Sequence, residues 1–244
     1  MLPFNFSTMF LIFLIPWAWL FSTQVDAVAI EWLQINVPPS TSSFLSVSYS
    51  EEYNVVATAQ SGIGSTIVRS VDNGLTWVLS TYSDGTFGFI YDIASKTVSS
   101  TTYYLGVDDS GTVYKSTDKG ITWTTAAVIT AFSGFSVSIG SNGVAYVAGS
   151  GYKVFSSSST SGYATWTSKS VTGITPLSNF FDVSTFDGVN VIVVAGKGLI
   201  YYSSNSGTSW TKSTSGVPAT SVIVYNVDHG SAMTAMVSLN LCSA

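Results

Sequence analysis

Apolar residues in this chain gather in short runs separated by turns rich in Gly, Ser, Asp and Asn, and no stretch after residue 27 repeats at helical spacing. Four kinds of run return in a fixed order. The first falls at 44–49, 87–91, 135–139, 180–184 and 222–226; the second, more continuously apolar, falls at 55–58, 103–107, 144–148, 191–195 and 233–237. A third is a short pair (Ile67-Val68, Val113-Tyr114, Val154-Phe155, Ile200-Tyr201), and a fourth begins at a tryptophan. Runs this short and this apolar predict strands covered on both faces. The segments between second and third runs, 108–111 and 196–198 among them, predict hairpin turns, as do Asp187-Gly188 and Asp228-His229-Gly230.

Tryptophans stand at 32, 77, 123, 166 and 210, at intervals of 45, 46, 43 and 44 residues. Several short strands per unit at that period are the pattern of propeller blades. Trp32 opens a fourth-type strand with no repeated turn before it, so the expectation is four complete blades plus a partial fifth, a truncated or divergent five-bladed arrangement.

The later tryptophans each close a repeated turn. Ser70, Asp72, Gly74, Thr76 and Trp77 return as Ser116, Asp118, Gly120, Thr122 and Trp123, and then as Ser203, Asn205, Gly207, Ser209 and Trp210. A damaged copy keeps Gly162 and Trp166 with one residue too many between them, which predicts a looser turn. The Asp or Asn can accept backbone N–H groups two or so residues further on, and the Gly can supply a positive φ. The Trp is expected to anchor neighbouring sheets, a burial worth roughly 4 kcal/mol gross.

This S-x-D-x-G-x-T-W pattern resembles the Asp-box (BNR-type) turn of sialidase-type propellers, sortilin-type receptor domains, xyloglucan-degrading propellers and the photosystem II stability/assembly factor family. The resemblance implies an all-β propeller of four-stranded blades with the box residues at the outer blade edge, in a structural role. The short blades look most like the photosystem II assembly factors. That role is associated with a basic patch, and this chain has a single arginine, Arg69.

Composition narrows the rest. Charged residues are 9% of 244, and the net charge is −5, so a nucleic-acid footprint of clustered Lys and Arg is excluded. Cys242 and His229 are each alone, which leaves no disulfide, no zinc site and no hydrolase triad; no metal or cofactor is expected. Residues 1–27 read as a secretory signal peptide, although without Lys or Arg ahead of the apolar stretch 9–21. That stretch is too short to span a bilayer comfortably, Val25-Asp26-Ala27 offers a cleavage site, and the sequon Asn5-Phe6-Ser7 would leave with it. The expected mature domain is 28–244, secreted and without a stable membrane span.

Among candidate chemistries, a sialidase needs three arginines and is ruled out. A glycosidase needs two carboxylates across a cleft, and Asp92 and Asp182, near the first strands of their blades, are the pair that could face each other. The alternative for both is a solvated or turn-capping role. Asp108-Asp109 reads as a turn whose carboxylates could hold Ca²⁺ weakly. The expected function is a non-catalytic binding or scaffolding module for a protein or glycan partner. Its ligand is expected on the loops at 80–86, 128–134 and 170–179, where Tyr82 and Phe132 stand. A photosystem II assembly role and an extracellular glycosidase are the alternatives.

Overall fold

The computed structural model describes residues 43–50, 54–61, 64–169, 171, 174, 179–196, 198–214, 222–231 and 234–241. The signal segment, Trp32, Cys242 and most of the 170–179 loop lie outside these residues.

The described chain is built of antiparallel sheets taken in sequence. The first contains β1 (Ser43–Tyr49), β2 (Val55–Ser61), β3 (Gly64–Ser70) and β4 (Val78–Leu79), each hydrogen-bonded to the next. After β5 (Thr81–Tyr82), the second contains β6 (Ile90–Val98), β7 (Thr101–Asp108), β8 (Thr112–Ser116) and β9 (Thr122–Val128). The third contains β10 (Gly134–Ile139), β11 (Val144–Gly149), β12 (Val154–Ser158) and β13 (Thr167–Ser168). The fourth contains β14 (Phe180–Thr185), β15 (Val191–Ala195), β16 (Leu199–Ser203) and β17 (Thr211–Lys212), and a hairpin of β18 (Val222–Ser231) and β19 (Thr234–Leu241) follows. This is the blade arrangement of a β-propeller, with the first strand of each sheet innermost.

Three expectations shift. In the second sheet the first strand starts at Ile90, because Phe87 turns inward to stack on Tyr82 (ring centroids 4.8 Å apart) and the Gly88 amide is taken by the Tyr114 hydroxyl at 2.9 Å. Asp228-His229-Gly230 is strand, not turn: Val227 is buried while Asn226 and Asp228 are exposed, the alternation of β18, and the reversal falls after Ser231. The connection 80–86 is no free loop. Its β5 pairs in parallel with β9 of the next sheet, Thr81 against Thr122 and Tyr82 against Trp123, so one sheet is strapped to its neighbour.

The core lies between consecutive sheets. Val56 and Ile67 of the first sheet meet Ile90, Ile93, Tyr104 and Trp123 of the second. Leu105, Val107 and Val113 meet Val137, Ile139 and Val147 of the third; Tyr146, Ala148 and Val154 meet Phe180, Val183 and Val193 of the fourth. Val194 meets Val227 of the hairpin. Apolar runs exposed to two neighbours at once explain why the second strands lack polar alternation.

The repeated turns close in one way. The Ser70 hydroxyl accepts the Gly74 N–H at 2.8 Å and donates to Asp72 at 2.7 Å, while the Asp72 carboxylate accepts the Thr76 N–H at 2.8 Å. The accepted amide is therefore four residues on, further than the Asx turn expected from sequence. Asp118 repeats this with Ser116, Gly120 and Thr122. In the third copy Asn205 accepts the Ser209 N–H at 2.9 Å and its amide donates to the Ser209 hydroxyl, reversing the donor where Asp72 accepts from Thr76.

Each of these turns uses two successive left-handed residues: Asn73 and Gly74 (φ 59 and 85), Lys119 and Gly120 (63 and 74), Ser206 and Gly207 (57 and 73). The damaged copy is not looser. Gly162 and Tyr163, both at φ 63, take these two places after a short 3-10 turn (Ser159–Ser161), and the Trp166 indole donates to the Tyr163 carbonyl at 2.9 Å, as Trp77 does to Gly74 and Trp123 to Gly120. The extra residue is absorbed before the glycine. A Cβ at Gly120 would lie 2.6 Å from Val56 Cγ1, so this turn is pressed against the preceding sheet.

Among the described tryptophans, Trp123 alone is fully buried; Trp77, Trp166 and Trp210 are half-buried. Trp123→Ala should therefore cost about 3–5 kcal/mol and Trp77→Ala about half as much or less, with Asp118→Ala near 1–2 kcal/mol, all read from chemical denaturation. Equal losses at Trp123 and Trp77 would contradict the placement of Trp123 between two sheets.

Candidate functional site

Each of the five described innermost strands carries a β-bulge at one equivalent position. The register against the second strand slips between Phe44 and Ser46, Ile90 and Asp92, Gly134 and Ser136, Phe180 and Asp182, and Val224 and Asn226. A bulge leaves one residue outside the ladder and re-aims it. Four of these extra residues, Leu45, Tyr91, Phe135 and Phe181, line one pocket of about 400 Å³. Tyr91 meets Phe135 edge-on, with ring centroids 5.3 Å apart. Since one residue comes from each of four successive sheets, the pocket lies where the inner strands converge.

The residue after each bulge ties the sheets together. The Ile93 N–H donates to Ser46 Oγ at 3.2 Å, Val137 N–H to Asp92 Oδ2 at 2.9 Å, Val183 N–H to Ser136 Oγ at 3.3 Å, and Val227 N–H to Asp182 Oδ2 at 2.7 Å. Hydroxyl and carboxylate alternate, and each hydroxyl also donates to the next carboxylate: Ser46 to Asp92 at 2.7 Å, and Ser136 to Asp182. With their own Ile93 and Val183 amides at 2.8 Å, Asp92 and Asp182 each accept three hydrogen bonds. The two carboxylates named as a candidate catalytic pair are thus neither solvated nor turn caps. They are stitches between blades.

Enclosure governs their acidity. Burial pushes Asp92 above the usual carboxylate range; burial first, and the charge of Asp92 second, push Asp182 up to about 7 against the hydrogen bonds it accepts. The Ser136 hydroxyl, donating to Asp182, partly offsets that penalty. Asp72 is the opposite case: hydrogen bonds from Ser70 and Thr76 hold it down to about 2.

Asp108 and Asp187 close turns. Asp108, 1% exposed, accepts the Ser110 and Thr112 amides and the Tyr114 hydroxyl at 2.8–2.9 Å. Its oxygens are engaged by donors, which opposes a Ca²⁺ role with Asp109. Asp187 accepts the Val189 and Asn190 amides. Neither aromatic expected on the ligand loops is presented: Tyr82 is held by Phe87 and Tyr114, and Phe132 is buried against Phe155. A second, hydroxyl-lined groove of about 290 Å³ runs past Ser156, Ser161, Thr165, Thr167, Lys169 and Ser206.

The signal for the pocket was present in the sequence. An apolar residue followed by Ser, Asp or Asn recurs at Leu45-Ser46, Tyr91-Asp92, Phe135-Ser136, Phe181-Asp182 and Tyr225-Asn226. That pairing sits inside the first runs and is visible only when the repeats are aligned.

Among solved structures, the chain is similar to an ancestral GH74 enzyme at 16% identity and a TM-score of 0.52, over 66% of this chain and 25% of that one. The chain thus spans about a quarter of that enzyme's length. It is also similar to YCF48 from Cyanidioschyzon merolae (17% identity, TM-score 0.49, 81% and 77% covered) and to YCF48 bound to a D1 peptide (13%, 0.49, 81% and 76%). At such identities the likeness bears on the fold alone, a β-propeller. No protein-family model and no curated protein matches the chain.

The acidity of Asp182 has a sign that can be tested. Folded Asp182 keeps its proton to about pH 7, whereas an unfolded aspartate releases it near pH 3.9. Between these values the folded state binds more protons, so this contribution falls as pH rises and levels off above about pH 7. Asp72 does the reverse: its contribution is full above the unfolded value and lost as pH falls toward about 2. Denaturation midpoints across this range should decline from weakly acidic to neutral pH, and Asp182→Asn should flatten that decline while leaving the acid limb. A flat wild-type profile would mean the carboxyl is solvated.

Proposed function

We propose that this protein is a secreted, non-catalytic Asp-box propeller that binds a partner through the bulge-lined pocket. The observation that carries this reading is the convergence of Leu45, Tyr91, Phe135 and Phe181 on one apolar space of about 400 Å³. A concave apolar site of that size is the usual form of a recognition pocket. Its lining fits an apolar side chain of a protein partner better than a sugar, whose hydroxyls would find few hydrogen-bonding groups there. The repeated turns serve as Asp-boxes in a structural role, and residues 1–27 direct the chain to secretion.

A hydrolase reading asks for a carboxylate free to meet substrate. Asp92 and Asp182 each already accept three hydrogen bonds within the protein, which supports binding over glycoside hydrolysis. A photosystem II assembly role would rest on basic residues, and Lys plus Arg total 8 in 244.

Peptides selected on the purified protein from a random library should be enriched in large apolar side chains. They should bind Phe135→Ser at least about tenfold more weakly, roughly 1.4 kcal/mol, with little change in unfolding midpoint. Selected peptides that bind Phe135→Ser equally well would place recognition elsewhere, and turnover of β-glucans that disappears in Asp182→Asn would replace this reading with the enzymatic one.

A further inference from the structure

The joint between the third and fourth sheets differs from the two before it at one position of the outer rim. Opposite the residue that follows each tryptophan stands Arg69 in the first sheet (against Val78), Lys115 in the second (against Thr124) and Ser156 in the third (against Thr167). The two long cations reach the next sheet's repeated turn. A Cβ at Gly120 would lie 3.8 Å from Arg69 Cβ, and the Lys115 ammonium donates to the Gly162 carbonyl at 2.9 Å. Ser156 is too short to follow them. The space it leaves is the groove of about 290 Å³, walled by Tyr146, Ser158, Thr165 and Thr167 of the third sheet and by Ser206 of the fourth sheet's turn.

Unused donors and a missing negative charge set this groove apart. Ser156 is only 9% exposed, lines the groove, and its hydroxyl has no partner among the described residues. Lys169 lays its stem across Gly207, where a Cβ would stand 3.1 Å from Lys169 Cγ, and its ammonium likewise pairs with no described residue. Both flanking turns have lost their carboxylate. Ser159 follows Ser157 where Asp72 follows Ser70 and Asp118 follows Ser116, and Asn205 takes that place in the fourth sheet. No carboxylate lines the groove. Asp187, whose charge reaches Tyr146 in the wall, is engaged by the Val189 and Asn190 amides and the Asn190 carboxamide. In a chain of net charge −5, the groove is a local surplus of positive charge and free donors.

We propose that this groove binds a sulfate or phosphate ester carried on a polyol the size of a monosaccharide. An ammonium and a hydroxyl are the donors an oxyanion asks for. The Lys169 ammonium and the Ser156 O–H would hold the ester oxygens. Ser158, Thr165 and Ser206, whose hydroxyls donate and accept, would meet the hydroxyls of the carrier. The groove has the room of several waters at about 30 Å³ each, more than one oxyanion fills, and Val144 and Tyr146 give it an apolar floor for a ring. The site lies at the rim and is independent of what occupies the central pocket.

Calorimetric titration of the full chain in low-salt buffer tests this, with glucose 6-sulfate, glucose 6-phosphate, glucose, inorganic sulfate and inorganic phosphate as probes. One ester or both should bind with a Kd of about 1 mM or below, and the tighter one identifies the group; glucose and the inorganic ions should bind at least about tenfold more weakly. Lys169→Met keeps the stem over Gly207 without the charge and should weaken the ester about tenfold or more. Lys119→Met removes the same charge at the second sheet's turn and should leave binding unchanged. Ser156→Leu should fill the groove and abolish binding. If its circular dichroism departs from that of the native chain, Ser156→Ala is read in its place, with a loss of about three- to tenfold.

The proposal is overturned if neither ester gives heat or shifts the groove's amide resonances at about 10 mM, ten times that Kd. Glucose bound as tightly as its esters would make this a neutral sugar site, and inorganic ions bound as tightly would mean an adventitious ion only; either result overturns it. So does an equal effect of Lys169→Met and Lys119→Met, which would trace binding to overall charge. Each of these outcomes leaves the pocket reading untouched.

Discussion

The bulge in each innermost strand is the constraint from which the rest follows. One inserted residue does three things at once. It throws an apolar side chain toward the centre, turns the next amide out of its own sheet, and sets a polar side chain where the following sheet's amide can reach it. The amides of Ile93, Val137, Val183 and Val227 find their acceptors on the neighbouring inner strand, and an unpaired buried N–H costs as much as the bond it lacks. Pocket and inter-blade joint are consequences of the same local distortion.

The outer rim is held by a different device. There the Ser, Asp and Gly of the repeated turns satisfy their own amides, and in two of them the tryptophan, Trp77 or Trp123, seals the turn by donating to its glycine carbonyl. The aspartates at rim and centre carry out opposite electrostatic tasks. Asp72 remains open to water and is stabilised as an anion by short-range donors, while Asp182 is enclosed near another carboxylate and resists ionising. Residue type alone does not distinguish them. What does is whether donors are gathered without loss of water, or with it.

Much of the fold was legible because its period is written in large residues. Trp77, Trp123, Trp166 and Trp210 mark the sheets, and the apolar second runs became β7, β11 and β15 with shifts of a residue or two. Three things were hidden. The boundary of β6 depends on a ring cluster of Tyr82, Phe87 and Tyr114 drawn from two connections and a strand, which no local pattern encodes. The damaged turn closes with Tyr163 in a left-handed conformation because its ring fills the gap between two sheets, so tertiary burial overrides a local preference for glycine. The site was concealed for a third reason: Asp92 and Asp182 were visible as carboxylates, but their donors come from strands some 45 residues away on either side.

The alternation of serine and aspartate around the centre shows how the joint avoids its own electrostatic penalty. Neighbouring inner strands lie close enough that Asp92 already raises Asp182 across the intervening Ser136. A carboxylate on every strand would halve that separation and leave each without a hydroxyl donor, since aspartate as an anion can only accept. With serine between them, each carboxylate gains an O–H donor from one side and an N–H donor from the other, and the serine oxygen still accepts the next amide. The pattern therefore satisfies every donor while spacing the charges two blades apart. An asparagine at 226, after the bulge of β18, extends the acceptor series with a neutral group, which keeps that spacing of charges intact.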